Sequence, residues 1–258
     1  MEKPAQGAVC MNSFIISNVR IVTAYTELEN AFVYVKRGLI EAIGPDIPGK
    51  VHKSCNIIDG RGSWLLPGMI DVYNTMLDSG SSFFAAENSL VNHGVTTVCH
   101  FVPDTEPIAL NDINKSRRLG IIRHHLRTSP YLNEEYTLIS ASGILGEADN
   151  PSNIQMTDIV ENSGMYILCS DCEASAVLEA VFILSAKFGM NMIDAVGTAT
   201  LTPARAFGIE NKLGSIECGK NADLLIVSCE NNAPKVEMVF ISGCKIYDSR
   251  AVSSDNAV

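Results

Sequence analysis

The sequence predicts an α/β fold in which a parallel sheet is covered by helices and small β units flank it at both chain ends. Between residues 67 and 211, short apolar runs alternate with helix-length segments, the rhythm of strand-helix units feeding a parallel sheet. Before residue 67 and again after Leu213, the apolar runs are short, alternating and separated by turn residues, which is the pattern of antiparallel strands. With 258 residues and 47% apolar composition, the chain can bury a core for one large domain or a domain and a half.

The elements follow in order. Residues 1–11 read as a loose extension. Apolar runs at 15–16, 19–22, 31–35 and 39–43 are strands, with Lys36, Arg37 and Gly38 as a hairpin turn. Pro67 and Gly68 then turn the chain into a short buried strand from Met69. Residues 81–93 form a helix stopped by Gly94, 95–102 a strand, 107–119 a helix closing at Gly120, and 121–127 a third strand. A strand at 136–141, a Pro-led helix at 151–162, a strand at 166–170 and a long apolar helix at 174–188 come next. Helical pieces at 191–199 and 203–207 precede closing strands at 224–227, 236–241 and 244–247, and the tail from Ser249 is polar.

A net charge of −10 and a pI near 4.9 leave no overall basic footprint for nucleic acid or an anionic membrane. The apolar run at 174–186 is broken by Glu179 and is too short to span a bilayer, and the start of the chain does not read as a signal peptide. The eight cysteines, Cys10, Cys55, Cys99, Cys169, Cys172, Cys218, Cys229 and Cys244, are scattered through apolar strands of a long chain. That suits buried thiols and a cytoplasmic location. Cys169 and Cys172 form a CxxC pair that could be redox-active or half of a metal site; the pair lacks a second CxxC, and plain burial is the other reading.

The stretch Trp64-Leu-Leu-Pro-Gly-Met-Ile-Asp-Val-Tyr-Asn-Thr75 resembles the first barrel strand of the amidohydrolase superfamily, whose members carry Leu-Pro-Gly-hydrophobic-Ile-Asp-x-His-x-His there. The phrase from Leu213 through Gly214, Ile216, Gly219, Lys220, Ala222 and Asp223 to Leu224 resembles the ending of the same superfamily. The resemblance implies a (β/α) TIM-type barrel joined to a small β-sandwich built from both chain ends. It divides the chain into an extension (1–11), a composite β-sandwich (12–66 with 212–248), a truncated barrel (67–211) and a tail (249–258). Five strand-helix units stand where a closed barrel has eight strands over about 250 residues, so the barrel is incomplete, and the junction of the missing units falls at 129–135.

Within the superfamily, Trp64 to Gly68, Leu77-Asp78, His93-Gly-Val-Thr-Thr97, His125-Leu-Arg127, Ser152-Asn153 and Ser170-Asp171 followed by residues 174–180 are similar to the diphosphatase of phosphonate degradation. That likeness implies a metal-dependent hydrolase of a small phosphorylated molecule, with zinc or another divalent ion as cofactor. It maps the surviving last-strand ligand, a catalytic carboxylate, onto Asp171. The two first-strand ligand positions are Tyr73 and Thr75, side chains that hold zinc poorly. His100, His125 and the Cys169/Cys172 pair are the remaining candidates for a rebuilt metal site, and ordinary hydrogen-bonded histidines near strand ends are the alternative. Period two places Arg123, His125 and Arg127 on one strand face, where the guanidiniums could hold phosphate or lie solvated at a broken edge.

Two functions therefore stay open. One is a metal-dependent hydrolase with impaired or absent catalysis, holding zinc or another divalent metal or no cofactor at all. The other is a non-catalytic scaffold or binding partner of a full-length homologue. An open parallel sheet leaves edges that invite a homo-oligomer; neither a nucleic-acid nor a membrane partner is expected.

Overall fold

The structure, a computed structural model, describes residues 9–49, 55–72, 83–101, 123–127, 135–146, 155–170, 173–231 and 233–251. The predicted helix at 107–119 lies outside them. The fold is mixed α/β, and its largest unit is a nine-stranded sheet assembled from both ends of the chain. The early strands are β1 (Val9–Cys10), β2 (Ser13–Val22), β3 (Glu27–Lys36), β4 (Leu39–Gly44), β5 (Asn56–Asp59) and β6 (Trp64–Pro67). The late strands are β12 (Leu224–Glu230), β13 (Ala233–Ile241) and β14 (Cys244–Asp248). They run β1-β14-β13-β12-β6-β2-β3-β4, with β5 paired to β2. The two ends meet at β6 and β12, which pair antiparallel with Leu66 opposite Leu225.

This is one continuous sheet that curls on itself, rather than two separate layers. Phe14 on β2 and Phe240 on β13 stack at 5.2 Å between ring centroids although two strands separate them in the sheet order. Around them Ile16, Val33, Ile40, Leu224 and Ile226 are buried in one cluster. The curl is closed by the loop before β12: Ile40 N–H donates to Lys220 O, Ala222 N–H to Gly38 O, and Gly243 N–H to Ala222 O, at 2.8–2.9 Å. Gly38 has φ +80°, and a Cβ there would lie 2.6 Å from Ser242 O, so the β3–β4 turn needs glycine for conformation and for close approach. In the same loop Glu217 is held below the usual carboxylate range. Burial opposes that shift, and hydrogen bonds from Ser215 and Lys220 outweigh it.

After β6, Gly68 breaks the chain direction into β7 (Met69–Asp71), and its N–H donates to Asp223 O at 2.9 Å. A Cβ at Gly68 would collide with the Thr96 side chain on β8, so glycine is what allows this passage. The parallel strands are β7, β8 (Val95–Phe101) and β9 (Arg123–Arg127) in one sheet, and β10 (Thr137–Ser140) with β11 (Tyr166–Cys169) in another. These are the five strands expected near 69, 95, 121, 136 and 166. Among the described residues they form two sheets and not a single closed wall.

The helices are α1 (Phe83–Asn92), α2 (Ala141–Leu145), α3 (Met156–Glu161), α4 (Ala176–Ala186), α5 (Met192–Thr198) and α6 (Leu201–Ala206). Ala176, Val177, Leu178, Ala180, Val181, Phe182 and Leu184 of α4 are buried, which leaves only a narrow face for solvent and explains its apolar run. This helix packs with Leu66, Met69, Leu168 and Val239 in the largest core cluster, tying the curled sheet to the parallel strands. Trp64 meets Phe182 edge-on at 6.1 Å, with the Arg20 guanidinium 4.0 Å over its ring. No described helix is long and apolar enough to cross a membrane.

The expectation of eight separate thiols fails at one place. Cys10 and Cys244 are joined by a disulfide, because β1 and β14 put them directly opposite in an antiparallel ladder. Nothing in local sequence announces a partner 234 residues away.

Phe240→Ala removes one ring of the stacked pair, is expected to destabilise the protein by about 3–5 kcal/mol, and is read by urea unfolding. A loss below about 1 kcal/mol would contradict the packing described.

Candidate functional site

In a parallel α/β fold, chemistry gathers at the carboxyl ends of the strands. Here β7 and β11 end side by side. Asp71, the last residue of β7, is fully buried, and so is Ser170, the residue after β11. Ser170 N–H donates to Asp71 Oδ1 at 3.1 Å, and Ser170 Oγ–H donates to Oδ2 at 2.5 Å. Both carboxylate oxygens are thus engaged by one residue, a two-point charge-assisted grip that joins the three-stranded sheet to the two-stranded one. Alternation along the strands puts Asp71, Val98, Leu168 and Ser170 on one face, with Ile70, Val72, Cys99, Ile167 and Cys169 on the other.

Cys99 is 2% exposed on β8. Burial, with the Asp71 carboxylate as a second cause, pushes its thiol far above the ordinary range. Cys169 donates to Ile139 O at 3.3 Å and is buried, which matches plain burial for this half of the CxxC pair.

Asp171, Cys172, Tyr73 and Thr75 lie outside the described residues. His100 is on β8, and Arg123, His125 and Arg127 are on β9. The parallel register sets Arg123 opposite Thr97, His125 opposite Cys99, and Arg127 opposite Phe101. His100 stands opposite Leu126, one step along from His125. The backbone therefore brings the two histidines onto neighbouring strands, while their side chains and those of the two arginines lie outside the described residues. Sequence reading did not single out the Asp71–Ser170 pair. Each residue stands inside a family landmark, but their separation of 99 positions gives no local cue.

Among the described residues no group of three or more His, Cys, Asp and Glu side chains is placed to hold an ion, and Asp71, the buried carboxylate at the strand ends, is gripped by Ser170. A cleft of about 110 Å³ lined by Pro67, Ser163, Gly164, Thr200, Thr202 and Arg205 lies at the opposite, amino end of β7 and β11, away from the usual place of chemistry.

Residues 150–245 match the model of the amidohydrolase family. Adenine deaminase 3 of Rhizobium meliloti is 32% identical over 96 residues, 35% of this chain and 16% of that protein. Imidazolonepropionase of Picrophilus torridus is 21% identical over an alignment of 258 positions, covering 89% of this chain and 63% of that protein. The chain thus spans less than two thirds of the curated relatives it matches, from 16% to 63% of their length. Among solved structures, an enamidase described as a member of the amidohydrolase superfamily superposes with a TM-score of 0.68 at 17% identity, covering 92% of this chain and 97% of that one. N-acetylglucosamine-6-phosphate deacetylase from Pasteurella multocida gives 0.64 at 14%, covering 90% and 98%. The chain shares its fold with these proteins, and the amidohydrolase family model matches its C-terminal part, residues 150–245.

Proposed function

We propose that this chain is an amidohydrolase-superfamily hydrolase whose metal-dependent catalysis is impaired or lost, and that it keeps the scaffold for binding. The observation that carries the reading is the donor set. Tyr73 and Thr75 stand where the resembled first strand has two histidines, and neither phenol nor hydroxyl replaces imidazole for zinc at neutral pH. The Asp71 carboxylate adjoining them in sequence is already satisfied by two hydrogen bonds. Among the described residues five parallel strands stand in place of eight, which fits the loss of the barrel units that carry the bridging residue and two further histidines in the resembled family.

The molecule bound is proposed to be small and phosphorylated, as in the phosphonate-degradation diphosphatase that the landmarks resemble. Period two puts Arg123 and Arg127 on one face of β9, and guanidiniums there hold phosphate through charge-assisted hydrogen bonds. The names of the curated relatives, a deaminase of adenine and an imidazolonepropionase, support hydrolytic ancestry and leave the substrate class to be assayed. We also propose that the chain self-associates. Among the described residues β9 pairs only with β8, and β10 only with β11; unpaired parallel edges favour a second copy. A monodisperse monomer by light scattering would remove that part of the reading.

Metal analysis of untagged protein purified without chelator tests the central part. The expected result is much less than one zinc, iron or manganese ion per chain, with no hydrolysis of phosphate-ester or amide substrates. One or two ions per chain, lost on replacing Asp171, His100 or His125 singly, would establish a rebuilt site and overturn the proposal.

A further inference from the structure

The Cys10–Cys244 bond joins β1 to β14 and serves none of the chemistry considered above. Among the described residues β1 spans Val9–Cys10, and both residues are exposed. Among the described residues its sole ladder is the antiparallel pairing of Val9 with Lys245 and Cys10 with Cys244. Two residue pairs return little for the backbone freedom they remove, so the covalent link is what keeps β1 on the sheet. The opposite holds for β14. Its inner edge pairs with β13 from Cys244 to Asp248, and Ile246 and Tyr247 pack against the main core, which includes Leu90 and Val91 of α1. If the bond opens, β14 therefore stays and β1 leaves.

Accessibility sorts the cysteines. Cys10 is exposed and Cys244 half-buried, whereas Cys99 and Cys169 are buried thiols. Exposed disulfides exchange with solution thiols, and buried ones resist.

We propose that Cys10–Cys244 is a redox strap: oxidised, it fastens β1 across the outer edge of β14; reduced, it frees β1 and opens that edge for strand pairing. The reductant is a low-molecular-weight thiol such as glutathione. One thiolate attacks a sulfur of the bond, the S–S bond breaks, and a mixed disulfide forms while the other cysteine leaves as a thiolate and takes up a proton. A second thiolate then displaces the remaining protein sulfur. The protein gains two electrons and two protons as two thiols, and the two small thiols become one disulfide. A small-molecule disulfide drives the same steps backwards.

The test uses the full chain. Peptide mapping without reductant should show the Cys10–Cys244 crosslink, and a titration in reduced and oxidised glutathione should open and close it reversibly. Hydrogen exchange should then rise about tenfold or more in peptides covering 9–12 and at the outer-edge amides of 244–248 on reduction. Exchange at 224–230 of β12 should not change. C10S should reproduce the reduced pattern without reductant, and because it alters only an exposed end strand it stays interpretable even where C244S fails to fold. Absence of the crosslink after oxidation, resistance to millimolar reduced glutathione, or exchange at 9–12 that ignores reduction would each overturn the proposal.

Discussion

A fully buried carboxylate has to be satisfied by fixed donors or it costs several kcal/mol, of order 3–5 when a partner is removed. Ser170 helps Asp71 meet that demand by supplying a backbone N–H and a hydroxyl to the two oxygens. Because Asp71 ends β7 and Ser170 follows β11, the requirement is also a joint between sheets. Among the described residues no backbone ladder runs between β7 and β11, so this polar grip, with the apolar faces on either side of it, sets how the two parallel sheets meet. Burial, with the same carboxylate as a second cause, pushes the Cys99 thiol up.

The joint works because the curled sheet delivers β7 to it. Pairing of β6 with β12 fixes where the chain arrives at Pro67, Gly68 lets it pass Thr96 without a side chain in the way, and Met69 to Asp71 follow at once. On the far side α4 holds the parallel strands against β13, with Val181, Phe182 and Val239 in one cluster. The tail adds a clasp of its own: Arg250 donates to Asp59 O at 2.6 Å, to Gly60 O at 3.3 Å and to the Glu237 carboxylate. The chain's two ends and its middle are thus one packing problem, and function, if it persists as binding, sits on a frame that both ends complete.

Local chemistry made much of this visible before any coordinates. The apolar run at 174–188 could only be a buried helix and forms α4 as Ala176–Ala186; Arg37 and Gly38 both take positive φ in the turn expected of them. What escaped was of two kinds. Some signals were present and passed over. Ser140 caps α2 by accepting from Gly143 N–H at 3.2 Å, although 136–141 had read as strand to its end, and Asn56–Asp59 is a short strand paired with β2. Others have no local signal. The extension at 1–11 gains β1 only because Cys244 lies opposite Cys10, and Asp71 finds Ser170 across 99 positions. Such partners are set by tertiary geometry, which alternation and capping do not encode. The candidate site was legible as residue types, above all Tyr73 and Thr75 in place of histidine, and less so as an arrangement.

A double-mutant cycle with Asp71→Asn and Ser170→Ala, followed by denaturant unfolding, tests the joint directly. A buried charged hydrogen-bond pair predicts that the two changes are strongly non-additive, with a coupling of about 1.5–3 kcal/mol. Additivity within about 0.3–0.5 kcal/mol would mean that Asp71 and Ser170 do not hold each other, and that the two parallel sheets are joined by something else.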